Sequence, residues 1–191
     1  MKINLIFNPF TRIAGWQALG LGVLIMLATA AIAIPCELRF DGVLDAHFYQ
    51  DISWWKPLAD QLINWLALTL VFSLAALLLA KSHFRLIDIA GTMALARAPM
   101  LLASLAGLPG IVSTFFTEAP QINSAEILTR PSFWLFASLA LIMVWATVWS
   151  AILVYNAWSI SANVKGARAG FSYAICLIIA EIGSKILIAQ L

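Results

Sequence analysis

Arg97 and Glu181 are charged residues standing inside stretches that are otherwise apolar. A lone charge at the centre of a bilayer costs about 2.5–3.5 kcal/mol on insertion scales, so such a group faces the protein interior and seeks a partner. Both stretches are expected to cross in the same direction, which makes their depths comparable. Arg97 lies ten residues beyond Ile87 and Glu181 eleven beyond Gly170. At about 1.5 Å per residue, that places both roughly 15–17 Å deep. The expectation is an Arg97–Glu181 ion pair at the midplane, serving either as a proton or substrate relay or as a packing latch. The latch is the better reading, because a relay needs a chain of titratable or hydrated neighbours. Asn64 is expected nearer the outer side and Gln17 near the inner interface. Lys185, one helical turn after Glu181, can snorkel outward or offer the carboxylate a second partner.

A second set of chemically capable residues falls between the first two apolar stretches: Glu37, Asp41, Asp45 and His47, with Asp51 beyond. A helical turn would place Asp41 and Asp45 on one face, and His47 could add a nitrogen ligand. Acidic residues are ordinary on an outer loop, however, and a single His without a fixed partner is more often a surface residue. No metal site is expected, and an enzyme here would need Asp41, Asp45 and His47 to converge. The chain has no Gly-rich phosphate cradle, no Ser/His/Asp arrangement and no Cys-x-x-Cys ligand set. The expectation is a non-enzyme with no catalytic residue, cofactor or metal.

The elements that carry these residues are five apolar runs, at about 16–34, 62–80, 89–112, 133–155 and 169–191. Each is near the roughly 20 residues needed to cross a hydrocarbon core of about 30 Å. Lipid offers backbone groups no partners, so the runs must be helices. The fold class is therefore all-α, a polytopic five-helix membrane bundle forming one domain over residues 1–191. With 63% hydrophobic and 10% charged residues, too little polar sequence remains for a separate soluble domain. A net charge of +2 with scattered basic residues excludes a nucleic-acid footprint.

Charge reports orientation instead. Lys2, Arg12, Lys81, Arg85, Lys165 and Arg168 fall on one side of the runs, which the positive-inside rule assigns to the cytoplasm. Outer loops 35–61 and 113–132 carry Arg39, Lys56 and Arg130 against Glu37, Asp41, Asp45, Asp51, Asp60, Glu118 and Glu126. The N-terminus is expected inside and the C-terminus outside. Lys2, Arg12 and the stretch ending Ala31-Ile32-Ala33 loosely imitate a secretory signal, but the run is about 19 residues where a signal has about 7–15. An uncleaved anchor is the better reading. Cys36 and Cys176 fall at different depths, so both are expected unpaired.

Residues 1–13 are weakly amphipathic and read either as a surface-lying segment or as a frayed tail. Trp16, Trp54, Trp55, Trp149, Tyr155 and Trp158 are expected as interface anchors. The third run is distinctive. Gly91, Ala94, Ala96, Ala98, Ala103 and Ala106 form a small-residue surface suited to close helix approach, which makes it central. Pro99 should kink it, and Gly107-Leu108-Pro109-Gly110 reads as its loosened outer end.

Asn8-Pro9-Phe10-Thr11-Arg12-Ile13-Ala14-Gly15-Trp16, the stretch Asp88-Ile89-Ala90-Gly91-Thr92-Met93-Ala94-Leu95-Ala96-Arg97-Ala98-Pro99 and the five-span layout together resemble bacterial members of the Ypt-interacting protein (Yip) family. The resemblance covers nearly the whole chain and implies five membrane helices without known catalytic activity. Eukaryotic relatives are associated with Rab-type GTPases, a role linked to a long cytoplasmic N-terminal region. Here about fifteen residues precede the first run, so GTPase binding is not carried over. The expected function is a non-enzymatic scaffold or membrane-organisation factor of the bacterial cytoplasmic membrane. Its partners would be the lipid bilayer, other membrane proteins or itself. The alternative is a transport component with Arg97 and Glu181 on the pathway.

Overall fold

The computed structural model describes residues 3–49, 52–80, 83–107, 115 and 126–191. Lys2, Asp51, Lys81, Leu108, Pro109, Gly110 and Glu118, named above, lie outside the described residues. Apolar runs without interior breakers form the helices. They are α1 (Ile3–Phe7), α2 (Gly15–Ala33), α3 (Lys56–Leu79), α4 (Leu86–Ala96), α5 (Met100–Leu105), α6 (Pro131–Ser161) and α7 (Gly166–Ile188). Taking α4 and α5 as one stretch, five helices among the described residues are long and apolar enough to cross a membrane.

Two helices outrun the hydropathy pattern. α3 starts at Lys56 rather than near 62, with Pro57 in its first turn, where a missing amide proton and a fixed φ favour initiation. α6 continues to Ser161 rather than 155, because apolar surface persists through Ala157 and Trp158.

Pro99 breaks the third run as expected. α4 ends at Ala96, and the amides of Arg97 and Ala98 bond carbonyls three residues back, at 3.2 and 3.0 Å, before α5 begins at Met100. Proline lacks the donor for the next helical bond and crowds the preceding turn. Arg97 therefore sits at the break.

The α4–α5 stretch is also central: 61% of it is buried, against 22–39% for the other four. Its small residues account for this. A Cβ on Gly91 would lie 2.3 Å from the Gly15 carbonyl oxygen, and one on Gly22 would lie 2.6 Å from the Ala94 backbone. Only glycine permits this approach of α2 to α4. Ala94 is fully buried there, Pro99 is buried, and Ala98 is half-buried.

The connection between α2 and α3 departs most from expectation. In place of a loop lying outside the bundle, it forms a two-stranded antiparallel hairpin, β1 (Leu38–Arg39) and β2 (His47–Phe48), pairing Leu38 with Phe48 and Arg39 with His47. The hairpin tip packs inward, burying Phe40, Gly42 and Val43. Leu38, Phe40 and Val43 gain cover from the helices, which drives the insertion.

At the opposite end, α1 and the following turn at Pro9–Thr11 lie along α6. The Trp149 indole donates to the Ile6 carbonyl at 3.1 Å and the Asn156 amide to Phe7 at 2.8 Å. The anchor residues divide. Trp16, Trp54 and Trp55 are exposed, whereas Trp149 and Tyr155 are half-buried. Trp158 is fully buried and is not an interface anchor: its ring packs 5.3 Å from Phe72 and its indole donates to Ser172. Helices α3 and α7 close over it. Both cysteines are free and buried.

Candidate functional site: a buried charge knot

Arg97 is 1% exposed and meets the tip of the hairpin. Its Nη1 donates to the Val43 carbonyl at 3.2 Å and its Nε to Gln61 Oε1 at 3.1 Å. Glu181, from α7, accepts the Leu44 amide at Oε2, 2.9 Å away. The expected direct ion pair is therefore not formed. One peptide group stands between the charges, its carbonyl oxygen toward the guanidinium and its N–H toward the carboxylate. A peptide dipole of about 3.5 D oriented in this way is stabilised from both ends.

Glu181 Oε1 also lies 3.5 Å from Lys185 Nζ, and Lys185 in turn pairs with Asp45. Gly42 admits the carboxylate, since a Cβ there would stand 2.3 Å from Oε1. Thr147 on α6 donates to the Leu44 carbonyl at 3.4 Å, adding a further tie to the tip.

The first turns of α3 complete the knot. Asp60 receives two bonds from Arg39, at 3.0 and 2.6 Å, and Asn64 donates to the Phe40 carbonyl at 2.7 Å. Positions 60, 61 and 64 share one helical face, and all three side chains are buried. Donation to the Asp60 carboxylate raises the Arg39 guanidinium above the ordinary arginine range. Arg39 and Arg97 are balanced by Asp60 and Glu181. Within the knot, Arg97 Nη2, Gln61 Nε2 and Asn64 Oδ1 are buried and keep unused hydrogen-bonding capacity.

Sequence reasoning missed Arg39, Asp60 and Gln61 as members of this site. The signal was the polar spacing 60, 61, 64 leading into an apolar helix. It was hidden by assigning the first two positions to a solvated loop.

The acidic loop residues separate rather than converge. Asp41 binds His47 Nδ1 at 2.9 and 3.0 Å and accepts the Tyr49 hydroxyl at 3.1 Å. Asp45 turns away to Lys185. Glu37 is exposed at φ 51°, its carbonyl accepting the Tyr49 amide. Desolvation first, then the Asp41 charge, raises the Tyr49 phenol above its ordinary pKa. Among the described residues, no three His, Cys, Asp or Glu side chains group to hold a metal.

The chain matches no protein-family model, no curated protein and no solved structure. Its own geometry shows what these residues do together: they tie the hairpin, α3, the α4–α5 break and α7 into one buried knot.

Proposed function

We propose that this chain is a multi-pass protein of the bacterial cytoplasmic membrane, N-terminus inside and C-terminus outside, acting as a non-enzymatic scaffold through helix–helix contacts. The observation that carries this reading is the burial of Arg97, 1% exposed and bonded to Gln61 and Val43. A buried charge held on two sides by fixed partners serves as a fastener. The Yip-like sequence pattern and the five apolar helices agree with it.

Docking surface must come from elsewhere, because the small residues of α4 are already occupied by α2. α6 and α7 supply it, with 22% of each span buried. Affinity purification of the full chain from native membranes tests the proposal. Stoichiometric recovery of a second membrane protein, or of a second copy of this chain, is the expected result.

The unpartnered buried atoms of the knot, Arg97 Nη2, Gln61 Nε2 and Asn64 Oδ1, favour a second reading, a transport component with water reaching Arg97. Reconstituted vesicles separate the two: a solute flux that is abolished by Arg97→Gln overturns the scaffold.

A further inference from the structure

The segment ahead of α2 is held by side chains of α6. Trp149 Nε1 donates to the Ile6 carbonyl and Asn156 Nδ2 to the Phe7 carbonyl. These are the last carbonyls of α1, which a helix leaves unpaired. α1 has five residues, far short of the ~12–15 that make an isolated helix even marginal in water, so its shape depends on these ties. Two further bonds fix how high on α6 the donors stand. Ser150, next to Trp149, donates to the Ala96 carbonyl, beside Arg97. Ser161 meets Thr92 and the Asp88 carbonyl near the inner start of α4. Trp149 therefore stands level with the break at Arg97. Asn156 stands about halfway from there to the inner end, about 7.5 Å of helix before Ser161.

On the membrane reading, which this inference rests on, that stretch of α6 lies in the inner half of the hydrocarbon, where no water is present to serve a carbonyl. The indole and the amide supply what lipid cannot. A segment lying on the inner surface would need neither, and a frayed tail would make no such bonds. The apolar side chains suit the same place. The Phe7 ring packs edge-on against Trp149 at 6.2 Å, and Trp149 packs against Trp145 at 4.9 Å. Phe10, on the returning chain, is 2% exposed. The chain reaches the inner end at Arg12, which is exposed, and at Gly15, beside the Asp88 carboxylate. Ile6 and Phe7 stay 52% and 37% open, and at this level what they face is acyl chains.

We propose that residues 5–7 form a re-entrant wedge of the membrane domain, seated below the inner headgroups with Ile6 and Phe7 against acyl chains.

Electron paramagnetic resonance of nitroxide labels on single cysteines tests it, in the full chain carrying Cys36→Ala and Cys176→Ala and reconstituted into phosphatidylcholine vesicles. Oxygen concentrates in hydrocarbon and a nickel chelate stays in water, so their collision rates with a label report which phase surrounds it. The label at Ile6→Cys should show an oxygen-to-nickel ratio severalfold above that of a label at Arg12→Cys. It should approach the ratio at Ile178→Cys, a position 59% exposed on α7 and three residues before Glu181. A residue-6 ratio equal to that at residue 12 overturns the proposal. So does a residue-6 label shielded from both reagents, the result that protein cover would give. Phe7→Cys, labelled in the same way, decides the matter if Ile6→Cys does not fold. Failure of the membrane reading is separate: the residue-178 label would then itself be open to nickel.

Discussion

Arg97 and Glu181 hold opposite ends of one peptide group, the carbonyl of Val43 and the amide of Leu44. Two helices that do not meet through these side chains are coupled through the backbone of a third element. Removing either charge leaves a buried polar group unpaired, at a cost of about 1–3 kcal/mol. Arg97→Gln and Glu181→Gln should each show that loss by equilibrium unfolding in micelles. Because they act on a shared group, the double variant should lose less than the sum, by about 0.5–3 kcal/mol. Strict additivity would contradict the clasp.

The charge-swapped protein, Arg97→Glu with Glu181→Arg, should fold no better than the single variants. The swap points a carboxylate at the Val43 carbonyl and a guanidinium at the Leu44 N–H. A rescue by the swap in an assembly assay would instead indicate a direct ion pair.

Gly42→Ala should displace Glu181, since the new Cβ would lie 2.3 Å from Oε1. The carboxylate is the mobile partner, so the penalty is the lost Leu44 bond, about 1–3 kcal/mol. In a Glu181→Ala background the same change should add little. Thermal unfolding of the four proteins of this cycle measures it.

Gly91→Ala should cost more, because the obstacle is backbone: the Gly15 carbonyl, at 2.3 Å from the new Cβ. Overpacking of this kind costs about 1–3 kcal/mol or more and forces α2 from α4. Gly170, with nothing within 4 Å of an added Cβ, is the control. There alanine should stabilise, by up to about 1 kcal/mol from helix propensity. Yields of folded protein by size-exclusion chromatography should rank the two oppositely.

Asp60→Ala should strand Arg39, which is 8% exposed, and cost about 3–5 kcal/mol. Replacing both residues with leucine should recover much of it. A single variant as stable as wild type would show that the hairpin is not anchored there.

Burial raises the Cys36 thiol above its ordinary value of 9.0. As pH climbs past that value the unfolded chain ionises first, the folded state keeps more protons, and stability falls. Cys36→Ala should flatten part of the decline above pH 9.0, and thiol alkylation of the folded protein should be slow. Unfolding profiles that superimpose for the two proteins would rule this out.

The helices were legible because each apolar run is long, and the break was legible because Pro99 admits no alternative. Matched spacing placed Arg97 and Glu181 at one level, and both reach the same peptide. The intermediary was hidden. Hydropathy reads residues 35–61 as a polar loop because of their charges, yet several of those charges pair off: Arg39 with Asp60 and Asp45 with Lys185. Once neutralised in this way, the segment is mainly Leu38, Phe40 and Val43, and it turns inward. Trp158 was misread because a tryptophan near a helix end looks the same whether lipid or Phe72 covers it.

Glu181 follows Leu44 by 137 residues. A ribosome adding about 5–20 residues per second takes roughly 7–27 s to supply that carboxylate after the hairpin has emerged. Over that interval the hairpin tip lacks its Glu181 fastening, and only α7 completes what the helices flanking the hairpin began. Translation order therefore makes α7 the keystone: maturation of the bundle waits on a helix produced well after the hairpin it secures.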